Sequence, residues 1–125
     1  MQSNRTGKIG EELAKAYLMN KGYKFVCANY RVSGGEIDLI MMDGQTYVFV
    51  EVKTRKHSSD ESAYEAVDKR KQRFLSSAAM QYIGKNNLYD MPCRFDCVFI
   101  TGADEKAQID HFINAFELVR GRYFI

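Results

Sequence analysis

The stretch GEIDLIMMDGQTYVFVEVKTR, Gly35 to Arg55, sets Glu36, Asp38, Asp43, Glu51, Lys53 and Arg55 among residues that otherwise read as buried β-strand. Asp43-Gly44 is a strong hairpin signal, and it joins a strand over Glu36–Met42 to one over Thr46–Lys53. Strand side chains alternate faces, so Ile37, Leu39 and Met41 share one side and Glu36, Asp38 and Ile40 the other. Val48, Val50 and Val52 likewise oppose Tyr47, Phe49, Glu51 and Lys53. A two-residue Asp43-Gly44 turn pairs Met42 with Gln45, Leu39 with Val48, Ile37 with Val50 and Glu36 with Glu51. A three-residue loop would mix charge with core, so the even register is the expectation.

In that register Asp38 and Glu51 are diagonal neighbours, ~7 Å or less apart at Cβ, with Lys53 one step beyond. Two ionised carboxylates so close repel each other unless a cation lies between them, and hard oxygen ligands beside a lysine suit Mg²⁺ or Mn²⁺ better than zinc. Such an ion serves phosphodiester hydrolysis, where Lys53 can hold the attacking water or neutralise charge growing on phosphorus. The same alternation of Glu and Lys also describes a solvated sheet face carrying a cross-strand ion pair. The distance between Asp38 and the Glu51-x-Lys53 pair, across one hairpin with basic flanks, is what favours chemistry.

Helix is expected from Thr6, as cap, to Lys21, with Ile9, Leu13, Ala14, Tyr17 and Leu18 on its apolar stripe and Gly22 as its stop. Glu11 falls at the edge of that stripe and can reach the hairpin, whereas Glu12 points away; a boundary carboxylate favoured by the helix dipole is the plainer account of Glu11. Tyr23–Arg31 reads as a strand and Val32–Gly35 as a loop. A long amphipathic helix is expected over Asp60–Asn86, capped by Ser59 or Asp60, then a strand over Cys93–Thr101 and a strand or helix end over Ile109–Phe116. Within KRKQR, Lys69, Arg70 and Arg73 point outward while Lys71 falls inside the apolar stripe, placed either to meet a phosphate or to snorkel to water.

Charge is segregated along the chain. Residues 1–31 carry 6 basic and 2 acidic groups, residues 32–52 carry 4 acidic and none basic, and residues 53–73 carry 7 basic and 4 acidic. Arg31 with Gly34 and Gly35 at one end of the acidic island, and Lys53, Arg55 and Lys56 at the other, can bracket a nucleic-acid backbone, although charge runs are commonly just solvated surface.

The 125 residues suffice for one core, and the chain is read as a single domain over residues 1–125. No run of about 18 apolar residues is present to cross a bilayer, and the polar start MQSNRTGKIGEE lacks a signal peptide's apolar stretch, so a cytoplasmic protein is expected. Cys27, Cys93 and Cys97 have no CxxC spacing, and neither His57 nor His111 stands near them at zinc-ligand distance, which excludes a zinc or disulfide framework. The tail Arg120–Ile125, RGRYFI, offers rings for a protein partner or a homodimer.

The segments GKIGEELAKAYL, NYRVSGGEIDLI, YVFVEVKTR, AVDKRKQRF, RFDCVFI and INAF, in this order, resemble the YraN-like family of small bacterial proteins. That family is assigned to the PD-(D/E)XK nuclease superfamily and is similar to archaeal Holliday-junction resolvases. The resemblance implies an α/β fold with a restriction-endonuclease-like core, a mixed β-sheet flanked by helices. It implies a Mg²⁺- or Mn²⁺-dependent endonuclease hydrolysing DNA phosphodiester bonds, on branched, repair or recombination structures. The alternative is a nuclease-like module that binds nucleic acid or a repair partner without cutting. Asp38 then matches the first metal-binding acid, Glu51 the second, Lys53 the catalytic lysine, and the Val52 carbonyl a further metal ligand. Glu11 matches an acid on the first helix of resolvase-like members and Lys71 a helix position that assists the site; Glu36, taken from the hairpin rather than from the resemblance, is expected to join Glu11 in orienting metal or water. Ile37 stands where many superfamily members carry proline.

Overall fold

A computed structural model describes residues 2–55, 67–102 and 106–119, with side chains from residue 7 onward. Helix α1 (Gln2–Asn20) leads into strands β1 (Lys24–Val32), β2 (Gly35–Asp43) and β3 (Thr46–Arg55); helix α2 (Lys69–Lys85) precedes β4 (Cys93–Thr101) and β5 (Gln108–Phe116). The strands form one sheet in the order β1-β2-β3-β4-β5. Only β3 and β4 run parallel, and α2 lies in the crossover between them. This mixed sheet flanked by helices is the restriction-endonuclease-like α/β core expected from the motifs.

Strand β3 explains the layering. Val48, Phe49 and Val50 are consecutive and all buried, as in a central strand covered on both faces. Val48 and Val50 pack with Leu39, Met41, Val98 and Ile100 against Ala14 and Leu18 of α1. Phe49 packs on the other face with Ile40, Phe95 and Phe99 against Leu75, Ala78, Ala79, Tyr82 and Ile83 of α2. Fully burying one such aliphatic or aromatic side chain contributes roughly 1.5–3 kcal/mol, so the two helix faces hold the sheet between them.

Both helices begin elsewhere than expected. Helix α1 starts at Gln2, so Thr6 lies inside it rather than capping it. At its end, Gly22 N–H reaches the Met19 carbonyl at 3.0 Å and Tyr23 N–H the Leu18 carbonyl at 3.1 Å, a Schellman closure centred on the expected stop. Helix α2 starts at Lys69 with Asp68 as its cap, the carboxylate accepting Lys71 N–H at 2.9 Å. Asp68 wins because its side chain satisfies an orphan amide at the point where residues 67–68 are non-helical. Ser59, Asp60, Lys56 and the tail Arg120–Ile125 lie outside the described residues. The segment read as strand or helix end, Ile109–Phe116, is strand β5.

The hairpin register also differs. The observed pairs are Asp43 with Thr46, Met42 with Tyr47, Met41 with Val48, Ile40 with Phe49 and Leu39 with Val50, two residues away from the expected set. The loop is therefore Gly44-Gln45, with Gly44 at φ +62° and Gln45 not at positive φ, the II′ pattern that takes glycine first. Asp43 stays on the strand, where its carboxylate accepts from Arg94 Nη1 at 2.9 Å. Because the shift is two, Asp38 and Glu51 keep their faces. Glu36, however, is not opposite Glu51; the same register carried onward sets Asp38 there.

Pairing between β2 and β3 stops at Leu39 and Val50, while β2 stays paired with β1 as far as Gly35 and β3 with β4 as far as Arg55. The sheet forks between β2 and β3 at this end. Alternation slips in the same place: Ile37 packs with Ile40 on the α2 side rather than with Leu39 and Met41 as expected.

Candidate metal centre

The fork gathers acids from three elements. One carboxylate oxygen each from Glu11 of α1 and Glu36 and Asp38 of β2 lie within 4.8 Å of one another, a spacing that can hold a metal ion. All three side chains are half-buried. Glu51 of β3 is not one of these three; it neighbours Asp38, where it is 4% exposed.

Helix α1 comes this close because Gly10 has no side chain. A Cβ on Gly10 would stand 2.3 Å from Thr54 Cγ2, so a larger residue there requires the Thr54 side chain to turn aside or α1, which carries Glu11, to shift off β3. On the other side a Cβ on Gly35 would lie 3.0 Å from Phe74 Cζ. The Gly34-Gly35 loop thus lets α2, which bears Lys71, settle against β2.

Where the ladder ends, Asp38 supplies the missing partner: its Oδ2 accepts the Val52 N–H at 2.7 Å. Val52 therefore meets Asp38 through its amide. Lys71 Nζ lies 3.3 Å from Glu51 Oε2, which resolves the inward lysine of α2 in favour of a contact at the acids. Glu51 Oε1 is the buried side-chain polar atom with no hydrogen-bond partner among the described residues. An unsatisfied buried oxygen of this kind costs about 1–3 kcal/mol, more when charged, and calls for a ligand or a function.

Burial and then the neighbouring Glu51 carboxylate push the Asp38 carboxyl up to about 7, against the opposing pull of the Val52 amide and Lys71. Glu11 is likewise raised, chiefly by burial, with its bond from Asn29 acting the other way. Burial is thus the largest cause for both acids, and the nearby donors and cations do not offset it.

Lys53 is half-buried on the Glu51 face of β3 and makes no hydrogen bond or ion pair with another described residue. Arg31 is 80% exposed and donates to Glu36 Oε2 at 3.2 Å, so it stands at the rim of the cluster. Arg55 is turned away from the acids: its Nε donates to Thr101 Oγ1 at 3.0 Å, it lies 3.7 Å from Asp110 Oδ2, and it stacks over Phe99. It joins β3 to β4 and β5. Asn29, passed over in the sequence, donates from Nδ2 to Glu11 Oε1 and Glu36 Oε1, both at 2.9 Å. The available signal was an asparagine, a residue that tolerates positive φ, inside an aromatic and β-branched strand.

The donors fit a hard divalent cation. Glu11, Glu36 and Asp38 offer carboxylate oxygens that draw together from two elements, and the adjacent Glu51 keeps one buried oxygen without a partner among the described residues. Among the described residues no helix is long and apolar enough to cross a membrane.

A protein from Geobacter metallireducens is 42% identical over 118 residues, spanning 94% of this chain and 97% of its own. One from Syntrophus aciditrophicus is 41% identical over 121 residues, covering 97% and 95%, and one from Stutzerimonas stutzeri 38% over 117 residues, covering 93% and 98%. Each is named only as a UPF0102 protein. The family model matches residues 10–100, which include Glu11, Glu36, Asp38, Glu51, Lys53 and Lys71, and the chain belongs to the uncharacterised protein family UPF0102.

Proposed function

We propose that this protein is a divalent-metal-dependent endonuclease that hydrolyses DNA phosphodiester bonds, with branched or repair-type structures as its substrates. The observation that carries the proposal is the unpartnered, buried Glu51 Oε1 beside an Asp38 whose carboxyl is pushed up to about 7. A fold that leaves two adjacent buried acids short of positive charge is built to receive it.

Asp38 and Glu51 would hold Mg²⁺ or Mn²⁺, with Glu11 and Glu36 completing or orienting the ligand set and the Val52 carbonyl as a further candidate. When bound, such an ion lowers the pKa of its water and polarises a phosphoryl oxygen. The chain's own groups do the rest. The Lys53 ammonium, with no partner of its own among the described residues, would neutralise charge developing on phosphorus. Lys71 balances one oxygen of Glu51 and stands ready to meet a substrate phosphate. Exposed Lys69, Arg70 and Arg73 on the first turns of α2, with Arg31 and Lys56, hold the nucleic-acid backbone. Four cations in that short run face the positive end of the helix dipole, a placement that suits an anionic partner better than an isolated helix.

The second reading, a module that binds nucleic acid without cutting, is favoured by the Lys71 contact at 3.3 Å, which already neutralises one Glu51 oxygen. The test is incubation of purified protein with branched, duplex and single-stranded DNA in Mn²⁺. Cleavage is expected to fall at least about a hundredfold in Asp38→Ala and Lys53→Ala proteins, in line with loss of a preorganised electrostatic group. Cleavage that persists in both variants rejects the assignment. Salt-sensitive DNA binding with no uptake of Mn²⁺ by wild type supports the second reading.

A further inference from the structure

We infer that Asn29 is a positioning residue of the carboxylate site, holding Glu11 of α1 and Glu36 of β2 in place for a cation without adding charge of its own. The inference rests on the metal-binding reading above. Asn29 lies on β1 between Ala28 and Tyr30, whose partners across the ladder are Leu39 and Ile37, so it stands beside Asp38. Its single amide nitrogen has two hydrogens, and each is spent on a different acid, at 2.9 Å to Glu11 Oε1 and 2.9 Å to Glu36 Oε1. Those acids are 18 and 7 residues away in sequence and belong to different elements.

Charge explains why an amide suits this position. A lysine or arginine bridging the same oxygens would cancel the negative potential that attracts a cation. A neutral donor fixes the carboxylates while leaving their charge intact, as outer-shell hydrogen bonds do around metal ligands. On Glu11, the oxygen not held by Asn29 has no donor among the described residues.

Backbone conformation alone offers a competing account. Asn29 has φ +53°, and the other non-glycine residues at positive φ among those described, Asn87 and Asn114, are also asparagines. Among the described residues, asparagine therefore supplies every positive φ that glycine does not. Asn29 differs in that its side chain joins two acids.

Glycine separates the two accounts, because it adopts positive φ freely and has no amide to donate. The experiment measures Mn²⁺ binding by calorimetry on wild type, Asn29→Gly and an Asn87→Gly control, together with thermal unfolding of each protein without metal. Asn29→Gly is expected to unfold no earlier than wild type by more than the control does, yet to bind Mn²⁺ about tenfold more weakly, the lower end of the effect of losing an outer-shell partner. A weakening of less than about threefold in Asn29→Gly overturns the inference and leaves Asn29 a backbone device. Wild type that takes up no Mn²⁺ overturns the metal reading itself, and this inference with it.

Discussion

Asp96 and the Asp38–Glu51 pair are acids buried within one sheet, and they are treated in opposite ways. Asp96 is fully buried, yet its oxygens are met by Arg94 Nε at 3.0 Å, Arg94 Nη2 at 3.2 Å, the Asn114 N–H at 2.9 Å and His111 Nε2 at 2.7 Å. Lys21 Nζ donates to His111 Nδ1 at 2.8 Å, which leaves the Nε2 hydrogen for Asp96. Burial by itself would raise the Asp96 carboxyl, but the bonds from His111, Arg94 and Asn114 outweigh it and hold the group below the usual carboxylate range. At the fork the balance is reversed. Asp38 has one backbone amide, Glu51 one lysine at 3.3 Å, and Glu51 Oε1 has none. Burial does not tell a structural acid from one with another task; the number of donors around it does.

The contrast breaks most sharply if Asp96 is removed. Asp96→Ala should leave Arg94 buried without its main partner and cost about 3–5 kcal/mol of stability in urea unfolding, the scale of breaking a buried ion pair from one side. Equal stability in wild type and variant would mean the network contributes nothing net.

Asp38→Asn should act with the opposite sign, stabilising the metal-free protein at pH 8 by about 1–3 kcal/mol, since an acid raised toward 7 is held in the fold against its ionisation. A variant less stable than wild type at pH 8 would show that Asp38 is as well satisfied as Asp96.

Next in size are the pH slopes. Because the folded-state carboxyl of Asp38 is raised, its contribution is fully present below its unfolded value of about 4 and is lost as pH climbs through about 7. Asp96 is lowered, so its contribution is present above about 4 and is lost as pH falls through the depressed folded value. Melting midpoints across pH 3–8 should therefore flatten at the alkaline side in Asp38→Asn and at the acid side in Asp96→Asn. The smallest expected effect is that of Glu36→Gln without metal, within about 0.5 kcal/mol because the residue lies at the solvated rim.

What the sequence disclosed follows from which forces are local. Strand period is local, so the valines of β3 separated correctly from Phe49 and Glu51 even with the register displaced by two. The displacement came from reading Asp43 as turn, when its carboxylate is engaged by Arg94, 51 residues away. Ile37 changed sides because the sheet forks beside it, an event no alternation rule contains. Glu11 and Lys71 were recoverable from helical wheels; Asn29 was not, because its two acids converge only when α1 crosses β3 at Gly10. The Asp96 network joins Tyr23, ahead of β1, to β4 and β5 and was invisible because its members meet only in the folded sheet.

The early end of the β2–β3 ladder bears on how such a protein can change over time. Cohesion of the hairpin rests on Leu39–Asp43, while the acidic end of β2 is held by β1 and that of β3 by β4, so no β2–β3 ladder bond constrains the acids against one another. Substitutions of the acids there break no β2–β3 ladder bond. A lineage built on this scaffold can alter or abandon its chemistry while the same architecture persists.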